Sequence, residues 1–177
     1  MSVDAATATQ TPASTQTPAS PEPTYRPVDA VTVALPSLGL YSHAVRAPRD
    51  HQLVCVSGQL SVTPDGVPVG VGDFEAQMRT VLTNLRTVLA SAGATPTDLL
   101  KMTTYLVSAD LIDDFYRVRE SVFADWFPDG VFPGNTLLVV SRLVRPEFLI
   151  EIEALAVAPA ATQPGIQPGI ATRGSDV

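Results

Sequence analysis

The chain has 177 residues, a net charge of −7 and an apolar content of 45%, which together predict a single globular domain. The negative charge argues against a nucleic-acid surface or an anionic membrane as partner. No stretch approaches the ~20 apolar residues of a membrane span, and the N-terminus lacks the pattern of a secretory signal, so a cytoplasmic protein is expected. Cys55 is the only cysteine, and its apolar neighbours predict a small buried side chain.

Both ends of the chain have compositions typical of disordered segments. Residues 1–26 are rich in Ala, Thr, Ser and Pro, and residues 159–177 repeat the motif Gln-Pro-Gly-Ile. Such segments bury too little apolar surface to offset the entropy of ordering. We therefore expect one folded domain over residues 27–158 between two disordered tails.

The first part of the domain predicts short strands. Strands are expected over Asp29–Leu35 and Ser42–Ala47, and a third begins with the apolar run Leu53–Val56. The segment Thr63-Pro-Asp-Gly, with a central Pro-Asp-Gly sequence, predicts a turn after the third strand.

Two amphipathic helices are predicted next, with a further strand between them in the sequence. Asp73 is placed to cap the start of the first helix and Gly93 its end. A strand follows over Asp98–Val107, and Asp110 is expected to cap the second helix. The apolar face of that second helix recurs at helical spacing: Leu111, Phe115, Val118, Val122, Phe123 and Trp126.

The last part of the domain predicts two strands, which begin near Phe132 and Phe148. The second strand alternates, with Phe148, Ile150, Ile152 and Ala154 on one face and Leu149, Glu151, Glu153 and Leu155 on the other. The element order β-β-β-α-β-α-β-β predicts an α+β fold, a single sheet covered on one face by two helices. The mixed acidic and apolar face predicts either an oligomer interface or a solvated surface.

Several segments, in order and at matching separations, carry a resemblance to a known family. They are Gly39-Leu-Tyr-Ser-His-Ala, Val54-Cys-Val-Ser-Gly-Gln, Glu75-Ala-Gln-Met-Arg-Thr-Val-Leu, Leu89-Ala-Ser-Ala-Gly-Ala, Asp113-Asp-Phe and Ile150-Glu-Ile-Glu-Ala-Leu-Ala-Val. In these segments the chain resembles the RidA/YjgF family of reactive-intermediate deaminases. The resemblance covers about residues 39–157.

The resemblance implies a chorismate-mutase-like fold assembled as a homotrimer, in which the sheets form a central barrel with a small-molecule cleft between each pair of subunits. Family members of the best-known type hydrolyse imines and enamines without a metal or organic cofactor. By position, Glu151 matches the glutamate that activates or positions water. Tyr41, Ser57 and Gly58 match residues that line the pocket.

The sequence departs from the family at the residue that binds the substrate carboxylate. Active deaminases carry Pro-x-Arg at the start of the fifth strand, where this chain has Asn135, which brings no charge. Leu137 makes the same wall more apolar. Arg119 of the second helix stands where the family often has Asn. One hypothesis is that its side chain reaches the cleft. The simpler expectation is an exposed arginine on the helix surface. Phe115 of that helix is a further candidate pocket residue.

Three functional interpretations follow. The first is an enzyme of altered specificity, in which Asn135 binds a neutral carbonyl or imine and Glu151 moves a proton. Such an enzyme could act in specialised metabolism. The second is a ligand-binding or regulatory trimer without catalysis. The third is a conventional 2-imino acid deaminase with Arg119 as substitute. The sequence places no Cys, Asp or second His at an obvious metal-ligand spacing from His43 or His51, so no metal is expected.

Overall fold

The computed structural model describes residues 26–28 and 40–160. The predicted strand Asp29–Leu35 lies outside this description, as do the predicted tails apart from residues 26, 159 and 160. The described helices and strands, in chain order, are β1 (Arg26–Val28), β2 (Ala44–Arg46), β3 (His51–Gln59), α1 (Phe74–Ser91), β4 (Leu99–Leu106), α2 (Ile112–Trp126), β5 (Gly134–Val139) and β6 (Ile150–Pro159).

The main sheet has four strands in the spatial order β3-β6-β4-β5. Strand β6 pairs antiparallel with both β3 and β4, whereas β4 and β5 are parallel. The last two strands of the chain are therefore not neighbours, because β4 lies between them. Strands β1 and β2 form a separate two-stranded sheet, so the prediction of one sheet for all strands is wrong for β2.

Helix α1 begins and ends at the predicted residues. The Asp73 carboxylate accepts a hydrogen bond from Ala76 N at 3.0 Å, which satisfies one of the free amides of the first turn. Gly93 follows the helix with φ of +74°, the left-handed conformation that glycine adopts without strain. The predicted turn is confirmed as well, since Gly66 N donates to Thr63 O at 2.9 Å.

Helix α2 begins differently from the prediction. A 3-10 turn over Ala109–Leu111 precedes it, and the Ser108 hydroxyl caps that turn by accepting from Asp110 N at 3.2 Å. The helix proper starts at Ile112 with no side-chain cap. Asp110 is thus part of the lead-in turn, because Ser108 occupies the capping position two residues earlier.

Both helices cover the same face of the main sheet, and the core lies between them. Fully or nearly fully buried side chains from both layers form it, among them Val81, Leu85, Leu106, Phe115, Val118, Phe123, Ile150 and Ile152. Within residues 26–28 and 40–160 neither helix is long and apolar enough to cross a membrane.

Strand β6 confirms the predicted alternation. Ile150, Ile152 and Ala154 are buried under the helices, whereas Glu151, Glu153 and Leu155 point to the uncovered face, which we call the open face. Leu149 is an exception, because it precedes the strand and packs against the main core.

Cys55 also lies on the open face. It pairs in register with Leu155, and its side chain is exposed, so the expectation of a buried cysteine is wrong for the single chain. The reason is that the apolar run Leu53–Val56 alternates between the two faces, and only Val56 is fully buried under the helices.

Candidate functional site

Glu151 lies on the open face, directly against the backbone of β3. A Cβ added at position 58 would overlap Glu151 Oε1, so a larger residue there would displace the end of this carboxylate. A register shift between Val56 and Gln59 brings Gly58 to this position. The irregularity of β3 therefore creates the space in which the Glu151 carboxylate lies.

A second acid and a phenol accompany Glu151. Tyr105 is its register partner on β4, and the Tyr105 hydroxyl donates a hydrogen bond to Glu153 Oε1 at 3.1 Å. These three side chains line an open pocket of about 550 Å³, whose wall also includes Arg142 and Leu143. Sequence reasoning missed Tyr105 and Arg142 as pocket residues, although the alternation of β4 could have placed Tyr105 opposite the acids.

The electrostatics of this pocket favour proton transfer at Glu151. Partial burial raises the pKa of the Glu151 carboxyl, and the negative charge of Glu153 raises it further. The hydrogen bond to Glu153, with burial and the two nearby acids, raises the pKa of Tyr105 above 10.0, so this phenol stays protonated at neutral pH. A carboxyl group with a raised pKa is closer to the proton affinity that a general base needs near neutrality.

Asn135 lies on the opposite face of the sheet from Glu151. It pairs in register with Met102, whose side chain is buried under the helices. Because Met102 and Tyr105 are three residues apart on β4, they point to opposite faces, as do their partners Asn135 and Glu151. The two predicted catalytic residues therefore do not meet within one chain.

Arg119 is almost wholly buried, with 2% of its surface exposed, so the simpler expectation of an exposed helix arginine is wrong. Helix α2 turns this side chain towards the sheet, where Nη2 donates to Leu40 O at 2.7 Å and the guanidinium lies over the rings of Phe115 and Phe123. Arg119, Phe115 and Asn135 line one narrow gap between α2 and the sheet. The structure thus brings together the two residues whose types look exchanged.

The other predicted pocket residues are distributed over both faces. Tyr41 and Asn135 both border a pocket of about 470 Å³ at the start of β5. Ser57 is exposed and lines a depression of about 400 Å³ on the open face, next to Gly58. Leu137 packs against the main core from the helix-covered face.

In chemical terms, the chain offers an acid–base pocket on the open face and a guanidinium behind the sheet. No group of three or more His, Cys, Asp or Glu side chains in the described part of the chain could hold a metal ion. These groups can activate water and hold a small polar ligand.

Comparison with known proteins gives consistent results. A family model described as "Endoribonuclease L-PSP" matches residues 31–158. A RutC family protein of Pyrococcus horikoshii is 34% identical over 119 residues, which cover 67% of this chain and 87% of that relative. The 2-iminobutanoate/2-iminopropanoate deaminase of Rattus norvegicus is 31% identical over 141 residues, covering 80% of this chain and 96% of the deaminase.

A solved structure from Yersinia pestis has the same fold. It is a protein of the conserved Rid protein family, with a TM-score of 0.65 and 33% sequence identity. The match covers 75% of this chain and 98% of that one.

Proposed function

This chain belongs to the RidA/YjgF family, and from that membership we propose that it is an enzyme that hydrolyses a small imine, enamine or related carbonyl intermediate, with Glu151 as the acid–base group. The observation that carries the proposal is the Glu151 carboxylate itself. It is half-buried against Gly58, its pKa is raised, and it faces a pocket large enough for a small molecule.

The reaction needs only water and one proton-transfer group. Glu151 accepts a proton from water as the water oxygen bonds to the imine carbon, and it returns that proton to the nitrogen. In the resulting carbinolamine, Glu151 takes the hydroxyl proton and passes it to the amino nitrogen. The carbon–nitrogen bond breaks as the carbonyl forms, which leaves a ketone and ammonia. No electrons are transferred to an outside acceptor, so the chemistry asks for no redox cofactor.

We propose further that the working form is a homotrimer in which the open faces meet. Exposed apolar side chains support this proposal, since Leu53, Leu138 and Leu155 are 60%, 40% and 39% exposed on that face.

A ligand-binding trimer without catalysis is the second candidate. The observation that favours it is Asn135 on β5, where active deaminases of this family carry arginine. The endoribonuclease activity named by the family model is not proposed, because the net charge of −7 disfavours a polyanionic substrate.

The test is the release of ketone from freshly generated 2-iminopropanoate, 2-iminobutanoate and uncharged imines. We expect the native protein to accelerate the hydrolysis of at least one of them. We expect Glu151→Gln to reduce the rate by about a hundredfold or more, which is typical for the loss of an acid–base group. Glu120→Gln, on the exposed side of α2, is the matched control and should leave the rate unchanged.

Two outcomes separate the candidates. Hydrolysis that depends on Glu151 and not on Glu120 supports the enzyme. Rates equal to those in buffer for all substrates, together with tight binding of a ketone product, would instead support the non-catalytic trimer.

A further inference from the structure

The segment that carries Tyr41 is tethered through the residues on both sides of it. Leu40 O accepts a hydrogen bond from Arg119 Nη2 at 2.7 Å. Ser42 donates to the pair Phe132–Pro133, which leads into β5, from Oγ at 2.5 Å and from N at 3.2 Å. Tyr41 lies outside the helices and strands of the described chain, so tethers of this kind, and not a β-ladder, hold its backbone.

The position of Tyr41 matters because this residue borders the pocket of about 470 Å³ at the start of β5. Lys101 and Leu155, which are register partners on the open face, form another part of the pocket wall. The pocket therefore opens onto the face where the chains of the proposed trimer meet. A ligand in this pocket would lie beside Tyr41 on that face.

Arg119 is built as an anchor and not as a ligand-binding group. Its side chain is buried, and the gap that it lines behind the sheet has no room even for water. The guanidinium lies over the rings of Phe115 and Phe123, with Cζ at 5.6 and 4.5 Å from their centroids. Because both rings belong to the same helix as Arg119, they hold its guanidinium in one orientation and offset part of the cost of burying a cation.

The hydrogen bond to Leu40 O is the polar contact that an apolar side chain at position 119 could not make. Arg119 Nε and Nη1 have no partner among the described residues, which costs free energy. Burial lowers the pKa of Arg119 to about 10, so the guanidinium stays cationic at neutral pH. A charged donor makes a stronger hydrogen bond than a neutral one, so Nη2 is a strong tether for Leu40.

We propose that Arg119 is a positioning residue for the proposed reaction, because through Leu40 it fixes Tyr41 in the pocket at the start of β5. Arg119 thus acts on a ligand that it does not touch. A displacement of about 1 Å in a group that orients a ligand can lower the rate about a hundredfold. The inference rests on the proposed function, because it names a residue that positions the substrate of that enzyme.

Hydrogen exchange tests the tether without any turnover. In Arg119→Met the amide of Ser42 should exchange at least about tenfold faster than in the native protein, because its segment is then held from one side only. Arg117→Met, which replaces an exposed arginine of the same helix, should leave this exchange unchanged. Equal exchange in Arg119→Met and in the native protein would overturn the inference, whatever the turnover.

A double-mutant cycle with Tyr41 tests the effect on the reaction, with the imine that the native protein hydrolyses fastest as substrate. Arg119→Met and Tyr41→Ala should each lower kcat/KM by about a hundredfold. The double variant should lose little more than either single variant, because both changes remove the same placed side chain. Arg117→Met should keep the native kcat/KM. Losses that multiply in full, or a native kcat/KM in Arg119→Met, overturn the inference.

Failure of this inference is distinguishable from failure of the proposed function. A native protein that hydrolyses no imine contradicts the proposed function, and the same cycle is then measured calorimetrically as affinity for pyruvate, where losses that multiply in full again overturn the inference. If Arg119→Met does not fold, Arg119→Lys replaces it. In that variant the exchange of Ser42 and kcat/KM should change together, and a change in one without the other is the contradicting result.

Discussion

Glu151 draws its proposed chemistry from two neighbours, one on the adjacent strand β3 and one on its own strand. Gly58 of β3 provides the space that partly buries the carboxylate, and Glu153 adds a second negative charge from β6 itself. Burial is the larger cause of the raised pKa and Glu153 the smaller. The two causes can be separated by substitution, because only the second depends on the charge of another side chain.

The pH dependence of turnover should report this shift. As a base, Glu151 is active when ionised, so kcat/KM should rise with pH through a midpoint above 4.5, the ordinary value for glutamate. Glu153→Gln should move this midpoint to lower pH without removing the whole shift, because burial remains. The measurement is the pH profile of imine hydrolysis by both proteins. A midpoint that Glu153→Gln leaves in place would contradict the proposed coupling.

The raised pKa of Glu151 also makes the stability of the protein depend on pH. Stability should fall as pH rises, whereas turnover should rise. The folded pKa of Glu151 is raised, so its protonated form is favoured in the folded state. The stabilising effect is complete below the unfolded pKa and is lost as pH rises through the folded pKa. The free energy of unfolding of Glu151→Gln should therefore fall less than that of the native protein as pH rises through this range.

Exchanging the residue types at positions 119 and 135 tests whether the two side chains share one gap. Asn135→Arg alone would place two guanidinium groups around one gap, and unit charges about 5 Å apart repel by about 3 kcal/mol at an effective dielectric constant of 20. We expect urea unfolding to show a loss of that size. The double variant Arg119→Asn/Asn135→Arg removes one charge and should recover all but about 1 kcal/mol.

Thr87→Arg, on the exposed side of α1, is the control for adding an arginine and should change stability by less than about 0.5 kcal/mol. If Asn135→Arg is as stable as the native protein, the two side chains do not share the gap. If the double variant also hydrolyses 2-iminopropanoate, the guanidinium acts equally well from strand and helix.

At the scale of elements, one helix side chain holds the segment that leads into β6. Gln77 of α1 is fully buried, and its Nε2 donates to Gly70 O at 3.1 Å and to Glu147 O at 2.8 Å. Its Oε1 accepts from Leu149 N at 2.8 Å. Because Leu149 directly precedes the strand that carries Glu151, α1 sets where that strand begins.

Gln77→Met should therefore destabilise the protein by about 3 kcal/mol, since it keeps the side-chain volume but leaves buried backbone groups without partners. Urea unfolding measures the change in the free energy of unfolding. Gln52→Met, on an exposed position of β3, should change it by less than about 0.5 kcal/mol. A loss of similar size in both variants would show that Gln77 contributes through packing alone.

At the scale of the whole molecule, the proposed assembly depends on the open face. One chain has a mass of 18.7 kDa, so the proposed trimer has about 56 kDa, which light scattering after gel filtration distinguishes. Leu155→Glu should shift the protein towards the mass of one chain, because it buries a charge in the apolar part of the interface. Val71→Glu, at a loop residue that is 65% exposed, should leave the mass unchanged.

Mixed assemblies test whether each site combines residues of two chains. Neither Glu151→Gln nor Arg119→Met should turn over substrate alone. In a trimer refolded from equal amounts of both, about a quarter of the sites would take Arg119 from one chain type and Glu151 from the other. Recovery of about a quarter of the native rate is expected, and no recovery would contradict sites that combine residues of two chains.

Local patterns determined much of this fold from the sequence alone. The alternation of β6, the cap at Asp73 and the glycine at position 93 all follow from interactions within a few residues. The family follows from several short segments that occur in the same order along the chain. Asp110 shows the limit of such signals, because a neighbouring serine, Ser108, competes for the same capping position.

Only the tertiary structure decided which side chains share a site. Alternation predicts that residues of a strand face two ways, but the register of β5 on β4 and of β6 on β4 determines that Asn135 and Glu151 point apart. Arg119 is buried because α2 packs on that sheet and Nη2 bonds to Leu40, 79 residues away in the chain. Such contacts depend on the packing of distant elements, which no local spacing encodes.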